Sequence, residues 1–161
     1  MQENGIKREN PQIISERKRL YEICNLASSF FEKQLEASAV GKEAKEYLLK
    51  RGITEESIKK WRLGYSPDTW QGLSDFLVSR GYQREEIVKA GLAVKSEKGN
   101  DPYDRFRGRI IFPIFDSNSQ AVGFGARIFK ETSARQNAEA FVGAKYINTP
   151  QTILYDKSNF L

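Results

Sequence analysis

The hydrophobic period of this 161-residue chain changes at Gly91. Before it, apolar residues recur at steps of three and four, the repeat of one helix face. After it they alternate or gather in short dense runs, as strands require. Such a chain makes its helices first and its sheet second. Its fold class is therefore α+β: a helical N-terminal half followed by a small, mainly antiparallel sheet. Leu20, Ile23, Cys24, Ala27, Phe30, Phe31 and Leu35 form one stripe, which predicts a helix from about Glu16. Gly41 breaks that pattern. A second helix follows with Ala44, Tyr47 and Leu48 on one face and ends at Gly52; a third starts at Thr54. Tyr65 to Asp68 reads as a turn, and two more helices are predicted over about Trp70 to Ser79 and Arg84 to Ala90.

In the second part, Leu92 to Lys95 reads as a short strand and Ser96 to Asp104 as a polar turn. Arg109 to Phe115 is a dense strand, with Phe112 expected in the core. Pro113 has no N–H to give a ladder, so this strand is an edge or carries a bulge. Asp116 to Gln120 makes a hairpin turn, and Ala121 to Phe129 returns as the partner. Residues 130–144 read as a surface loop or insertion, and Lys145 to Asn148 as a last short strand. Residues 1–15 read as a flexible linker remnant, which leaves 16–161 as the domain.

Composition narrows the chemistry. Histidine is absent and Cys24 is the single cysteine, so Ser-His-Asp and Cys-His catalysis, a disulfide framework and a Cys-cluster zinc site are excluded within this chain. Cys24 lies on the apolar stripe and is expected to be a buried, inert thiol. No apolar run is long enough to span a bilayer. The carboxylates are scattered, with no close cluster for a divalent metal. The net charge of +5 is uneven: residues 105–161 carry 8 basic against 4 acidic side chains. That asymmetry suits a polyanionic partner or an ordinary basic surface.

Three motifs carry cations. Arg105, Arg107 and Arg109 alternate with Phe106 and Gly108, so in an extended chain all three guanidiniums would share one face. They could grip phosphate, or pair with Asp101, Asp104 and Asp116. Gly123-Phe124-Gly125-Ala126-Arg127 reads as a twisted or bulged strand, since no helix follows to complete a phosphate-binding loop; Arg127 remains a phosphate candidate. Lys145, Tyr146 and Asn148 offer a cation, a stacking ring and an amide, or merely a strand with a half-buried tyrosine. Arg51, at the end of the second helix, complements the helix dipole.

The order of these motifs resembles one family. Tyr103-Asp104-Arg105-Phe106-Arg107-Gly108-Arg109-Ile110-Ile111-Phe112-Pro113-Ile114 precedes Gly123-Phe124-Gly125-Ala126-Arg127, then Lys145-Tyr146-Ile147-Asn148-Thr149-Pro150 and Lys157. Upstream, Ala44 to Ile53, Leu63-Gly64-Tyr65 and Ile87 to Leu92 fit as well. Residues 16–161 are similar to the N-terminal subdomain of the catalytic core of bacterial DnaG-type DNA primases. The resemblance implies a part of an enzyme that makes RNA primers on single-stranded DNA, with a basic ridge that guides the template toward a metal site in a TOPRIM subdomain. By motif, that ridge comprises Arg51, Arg127, Lys145, Tyr146, Asn148 and Lys157, with Arg105 and Arg107 tied to activity. Mg2+ or Mn2+ and Zn2+ are implied for the longer parent and none for this part, which alone is expected to be inactive and monomeric. Partners implied are the DNA template, the RNA primer and, through a C-terminal domain, the replicative helicase; the location implied is the bacterial cytoplasm at the replication fork. A stand-alone single-strand-binding module and a part of a phage primase-helicase are the alternatives. Ala126 stands where the family has a second consecutive glycine, and Ala144 where a proline is common.

Overall fold

The first described residue, Pro11, opens a long helix, α1 (Pro11–Ala37). Proline is preorganised for a first helical turn, where its missing N–H costs nothing. The helix thus starts a turn before Glu16, and Pro11 to Ser15 are helical rather than a flexible lead. The computed structural model describes residues 11–129 and 145–155; the expected insertion at 130–144 lies outside them, as do residues 1–10. Ser38 ends α1 and caps α2 (Ala39–Lys50): its Oγ donates to the Gln34 carbonyl at 2.7 Å and accepts from the Gly41 N–H at 2.9 Å. Gly41 is therefore not a breaker. It sits in the first turn of α2, where a Cβ would lie 1.9 Å from the Gln34 oxygen.

The C-terminus of α2 closes on a left-handed glycine. Gly52 has φ +94°, its N–H donates to Leu49, and the Ile53 N–H reaches back to Leu48. Thr54 then caps α3 (Glu55–Lys60), as its sequence predicts. After α3 comes β1 (Gly64–Ser66), a strand where a turn was expected; three residues carry no readable period, and pairing with a distant strand is what extends them. α4 (Gly72–Ser79) begins two residues later than Trp70. Its N-terminus is capped from far along the chain by buried Asp104. That carboxylate accepts from the Leu73 and Ser74 N–H groups at 2.8 and 3.0 Å and from the Ser74 hydroxyl at 2.6 Å. Burial pushes the Asp104 carboxyl above its ordinary range, and these three donors oppose the shift. α5 (Arg84–Lys89) follows, then a two-stranded ribbon of β2 (Ala93–Val94) and β3 (Tyr103–Asp104), so the last two residues of the expected polar turn are strand.

The main sheet is antiparallel, in the order β1, β4 (Arg109–Phe115), β5 (Ala121–Ile128), β6 (Tyr146–Asn148). Asp116 organises the predicted hairpin turn, its Oδ1 accepting from the Asn118 and Gln120 N–H groups. Pro113 fits on both counts anticipated for it. β1 pairs only with Arg109 to Ile111, so one edge of β4 is open at Pro113, and the register shifts one residue later at Ile114/Phe115.

Over β1 and the start of β4 both faces of this sheet are covered, which is why Arg109 to Ile111 are buried throughout. Gly64, Ile111, Ala126 and Ile147 stand in one cross-strand row on the face packed against α1. Tyr65, Ile110, Arg127 and Tyr146 form the neighbouring row on the other face. There Leu35, Ala44, Leu48, Ile58 and Leu63 close over Tyr65 and Ile110. Phe112, one step further along this face, packs at the margin of that cluster and is half-buried, not a core residue. α1 touches the sheet at backbone distance: a Cβ on Gly64 would lie 2.5 Å from Phe31 Cβ and 2.7 Å from its carbonyl carbon. Phe31 in turn meets Phe124 edge-on at 5.5 Å.

Two outcomes follow from this packing. Gly64→Ala must push α1 away from β1, and is expected to cost about 1–3 kcal/mol in urea unfolding, as overpacking does; unchanged stability would mean that the contact is slack. Cys24 is fully buried and its thiol is pushed up to about 12 by that burial. It should resist a thiol reagent at neutral pH until the chain unfolds, with mass spectrometry reading the adduct across a denaturant series.

Candidate nucleic-acid interface

Where α2 ends, no described residue covers the second face of the sheet toward β6. Arg127 on β5 projects there, directly opposite Tyr146. Its Nε donates to the Tyr146 hydroxyl at 2.9 Å, and Nη1 donates to the Tyr47 hydroxyl of α2. The guanidinium carbon lies 5.4 Å from the Tyr47 ring centroid and 5.5 Å from that of Tyr146. On the other side of the cluster, Arg51 stacks over Tyr47 at 4.9 Å. Tyr47 lies in the last turn of α2 and Arg51, four residues on, is its C-cap, so the two side chains are neighbours. The result is a row of alternating cations and phenols: Arg51, Tyr47, Arg127, Tyr146.

Among the described residues no carboxylate neutralises the row. Arg19, Lys45, Arg62, Arg84 and Lys89 each form an ion pair with a carboxylate. Arg51, Arg127 and Lys145 form none among the described residues. The Tyr47 hydrogen bond raises the Arg127 guanidinium further above its ordinary value, with partial desolvation opposing it. Arg127 is thus held in place by neutral acceptors and keeps its charge for an anion.

β6 extends the row. Tyr146 is 63% exposed, far more than the half-buried strand tyrosine that the residues alone suggest. Asn148 is exposed on the same face two residues on, opposite Gly125, whose missing Cβ would stand 3.2 Å from Asn148 Oδ1. Lys145 is exposed at the strand's start. Its carbonyl accepts from the Ile128 N–H at 3.0 Å and from Nη1 of buried Arg109 at 3.2 Å, so Arg109 anchors the backbone before Tyr146. Lys157 lies outside the described residues.

The three alternating arginines do not share a face. Gly108, at φ +64°, turns the chain between β3 and β4 and breaks the extended geometry that such sharing needs. Arg105 is largely buried; its Nε donates to the Gly91 carbonyl at 3.1 Å, and burial lowers its pKa. Arg107 lies over Trp70 at 4.3 Å and Tyr103 at 5.1 Å. Neither hydrogen-bonds or stacks with the Arg51–Tyr146 row. The aspartates proposed as their partners serve elsewhere: Asp101 lies 3.7 Å from Arg84, Asp104 caps α4, and Asp116 holds the hairpin turn and accepts from Tyr21.

Sequence reasoning placed Tyr47 in the apolar face of α2 and missed its hydroxyl. The available signal was its four-residue offset from Arg51; the contact with Arg127, 80 residues away, is purely tertiary. Among the described residues no group of three or more His, Cys, Asp or Glu could hold a metal ion, and no helix is long and apolar enough to cross a membrane.

Comparison with known proteins gives this geometry a context. A DNA primase of Clostridium acetobutylicum is 35% identical over 143 residues, which is 89% of this chain and 22% of that protein. The chain thus spans about a fifth of the length of the curated relatives it matches. The crystal structure of the RNA polymerase domain of Mycobacterium tuberculosis primase DnaG superposes with a TM-score of 0.77 at 34% identity, over 88% of this chain and 43% of that one. A structure of the DnaG primase catalytic domain bound to single-stranded DNA matches with a TM-score of 0.75 at 28% identity, over 89% and 41%. Residues 30–161 match the family model of the DNA primase catalytic core, N-terminal domain, and the chain belongs to that family.

Proposed function

We propose that this chain is the template-handling part of a DNA primase: it binds single-stranded DNA across the Arg51–Tyr47–Arg127–Tyr146 row and guides it toward the TOPRIM metal site of the longer protein, where RNA primers are made. The observation that carries this reading is Arg127, immobilised by two phenols and paired with no carboxylate among the described residues. A fixed, unneutralised guanidinium binds phosphate without first breaking an ion pair. An exposed ring beside it gives a base a surface to stack on, and every base has such a face, so the recognition is indifferent to sequence. Asn148 and Lys145 add an amide and a cation along the same strand. The likeness to a DnaG catalytic domain bound to single-stranded DNA supports the choice of ligand. On this reading, metal-dependent phosphoryl transfer belongs to the TOPRIM part of the longer protein.

Fluorescence anisotropy of a labelled oligothymidylate across a salt series tests this. With about three to five phosphates contacted, log affinity should fall with log salt at a slope of about −2 to −4; a flat response would remove the basic row as the site. Arg127→Ala, Arg51→Ala and Lys145→Ala should each weaken binding and make the slope shallower by about one unit, with melting temperatures near wild type. Tyr146→Ala should cost about 1–3 kcal/mol of binding with a smaller change in slope. Variants that melt early yet bind normally when folded would make these residues structural instead.

A further inference from the structure

We propose that Tyr47 is a positioning residue, one that holds Arg51 and Arg127 together as a single phosphate-binding pair. The inference rests on the reading of this surface as a single-stranded DNA interface. Two like charges brought close repel, and a carboxylate between them would resolve the repulsion at the expense of anion binding. Tyr47 resolves it without neutralising either charge. The Arg51 guanidinium carbon lies 4.9 Å from its ring centroid, where the negative face of a ring attracts a cation. Its hydroxyl also accepts from Arg127 Nη1. That leaves Nη2 of Arg127, which donates to no group among the described residues, available to a phosphate oxygen.

The ring has a firm base. Tyr47 is flanked by buried Leu48 and packs against Phe129 at 5.9 Å, which in turn meets Tyr65 at the same distance. Arg51 comes from the end of α2 and Arg127 from β5, so Tyr47 links the helix to the strand. It sets the separation of two cations that the chain itself does not tie together.

The test compares Tyr47→Phe, Arg127→Ala and the double variant of the 161-residue chain, by anisotropy with a labelled oligothymidylate and by thermal melting. Binding is read at a temperature where each variant is fully folded. Tyr47→Phe keeps the ring and removes only the acceptor, so binding should weaken by about threefold to tenfold, the worth of one hydrogen bond. The double variant should bind no more weakly than Arg127→Ala alone, because the hydroxyl acts through Arg127. Wild-type binding by Tyr47→Phe beside a weakened Arg127→Ala would overturn the positioning role and leave the interface standing. Additive losses in the double variant would overturn it too, since Tyr47 would then act independently of Arg127. Wild-type binding by Arg127→Ala would remove the interface, and the pair with it.

Discussion

The approach of α1 to the sheet at Gly64 sets the geometry of everything else. With no Cβ on Gly64, the backbone of the helix at Phe31 rests directly on β1. That fixes the height of α1 over the sheet and so brings Phe31 onto Phe124, the residue around which Phe106 also packs. It also decides where α2 can go. Ser38 and Gly41 fold α2 back tightly against the end of α1. Its buried residues Ala44 and Leu48 therefore reach the far face of the sheet beside β1 and stop short of β6.

That partial cover makes the interface. A sheet face buried throughout would force Arg127 to find a carboxylate, because an unpaired interior charge is costly to desolvate. A face open throughout would let its side chain wander in water. Arg127 instead stands at the boundary, between the last turn of α2 and an edge strand. It is wet enough to stay charged and close enough to two phenols to be held. Interleaving rings and cations in this way answers both halves of a nucleic-acid strand, whose phosphates seek charge and whose bases seek flat apolar surface. The ion pairs of α1 and α5, such as Arg19 with Glu86, show the other fate of an arginine in this fold, where a carboxylate already occupies it.

Much of this was legible from local signals. The stripe through Leu20, Cys24 and Phe31, the cap at Thr54, the Pro113 irregularity and the turn around Asp116 each rest on residues within a few positions of one another. The failures share one cause. β1 exists because Gly64 to Ser66 pair with Ile111 to Arg109, and α4 is capped by a carboxylate 31 residues away. Arg109 parted from Arg105 and Arg107 because Gly108 between them turned left-handed, a choice glycine permits but does not announce.

The sequence by itself therefore determined the order of elements, the faces that are apolar and, through its motif order, the family. Periodicity, caps and turn residues are local, and the motifs are read without folding the chain. Tertiary structure alone decided which cations remain unneutralised and which residues hold them. Arg51, Tyr47, Arg127 and Tyr146 come from one helix and two strands, and their meeting depends on the register of β5 with β6 and on where α2 stops. Charge pairing in a fold is a matter of ångströms between side chains distant in sequence, and no spacing along the chain encodes it.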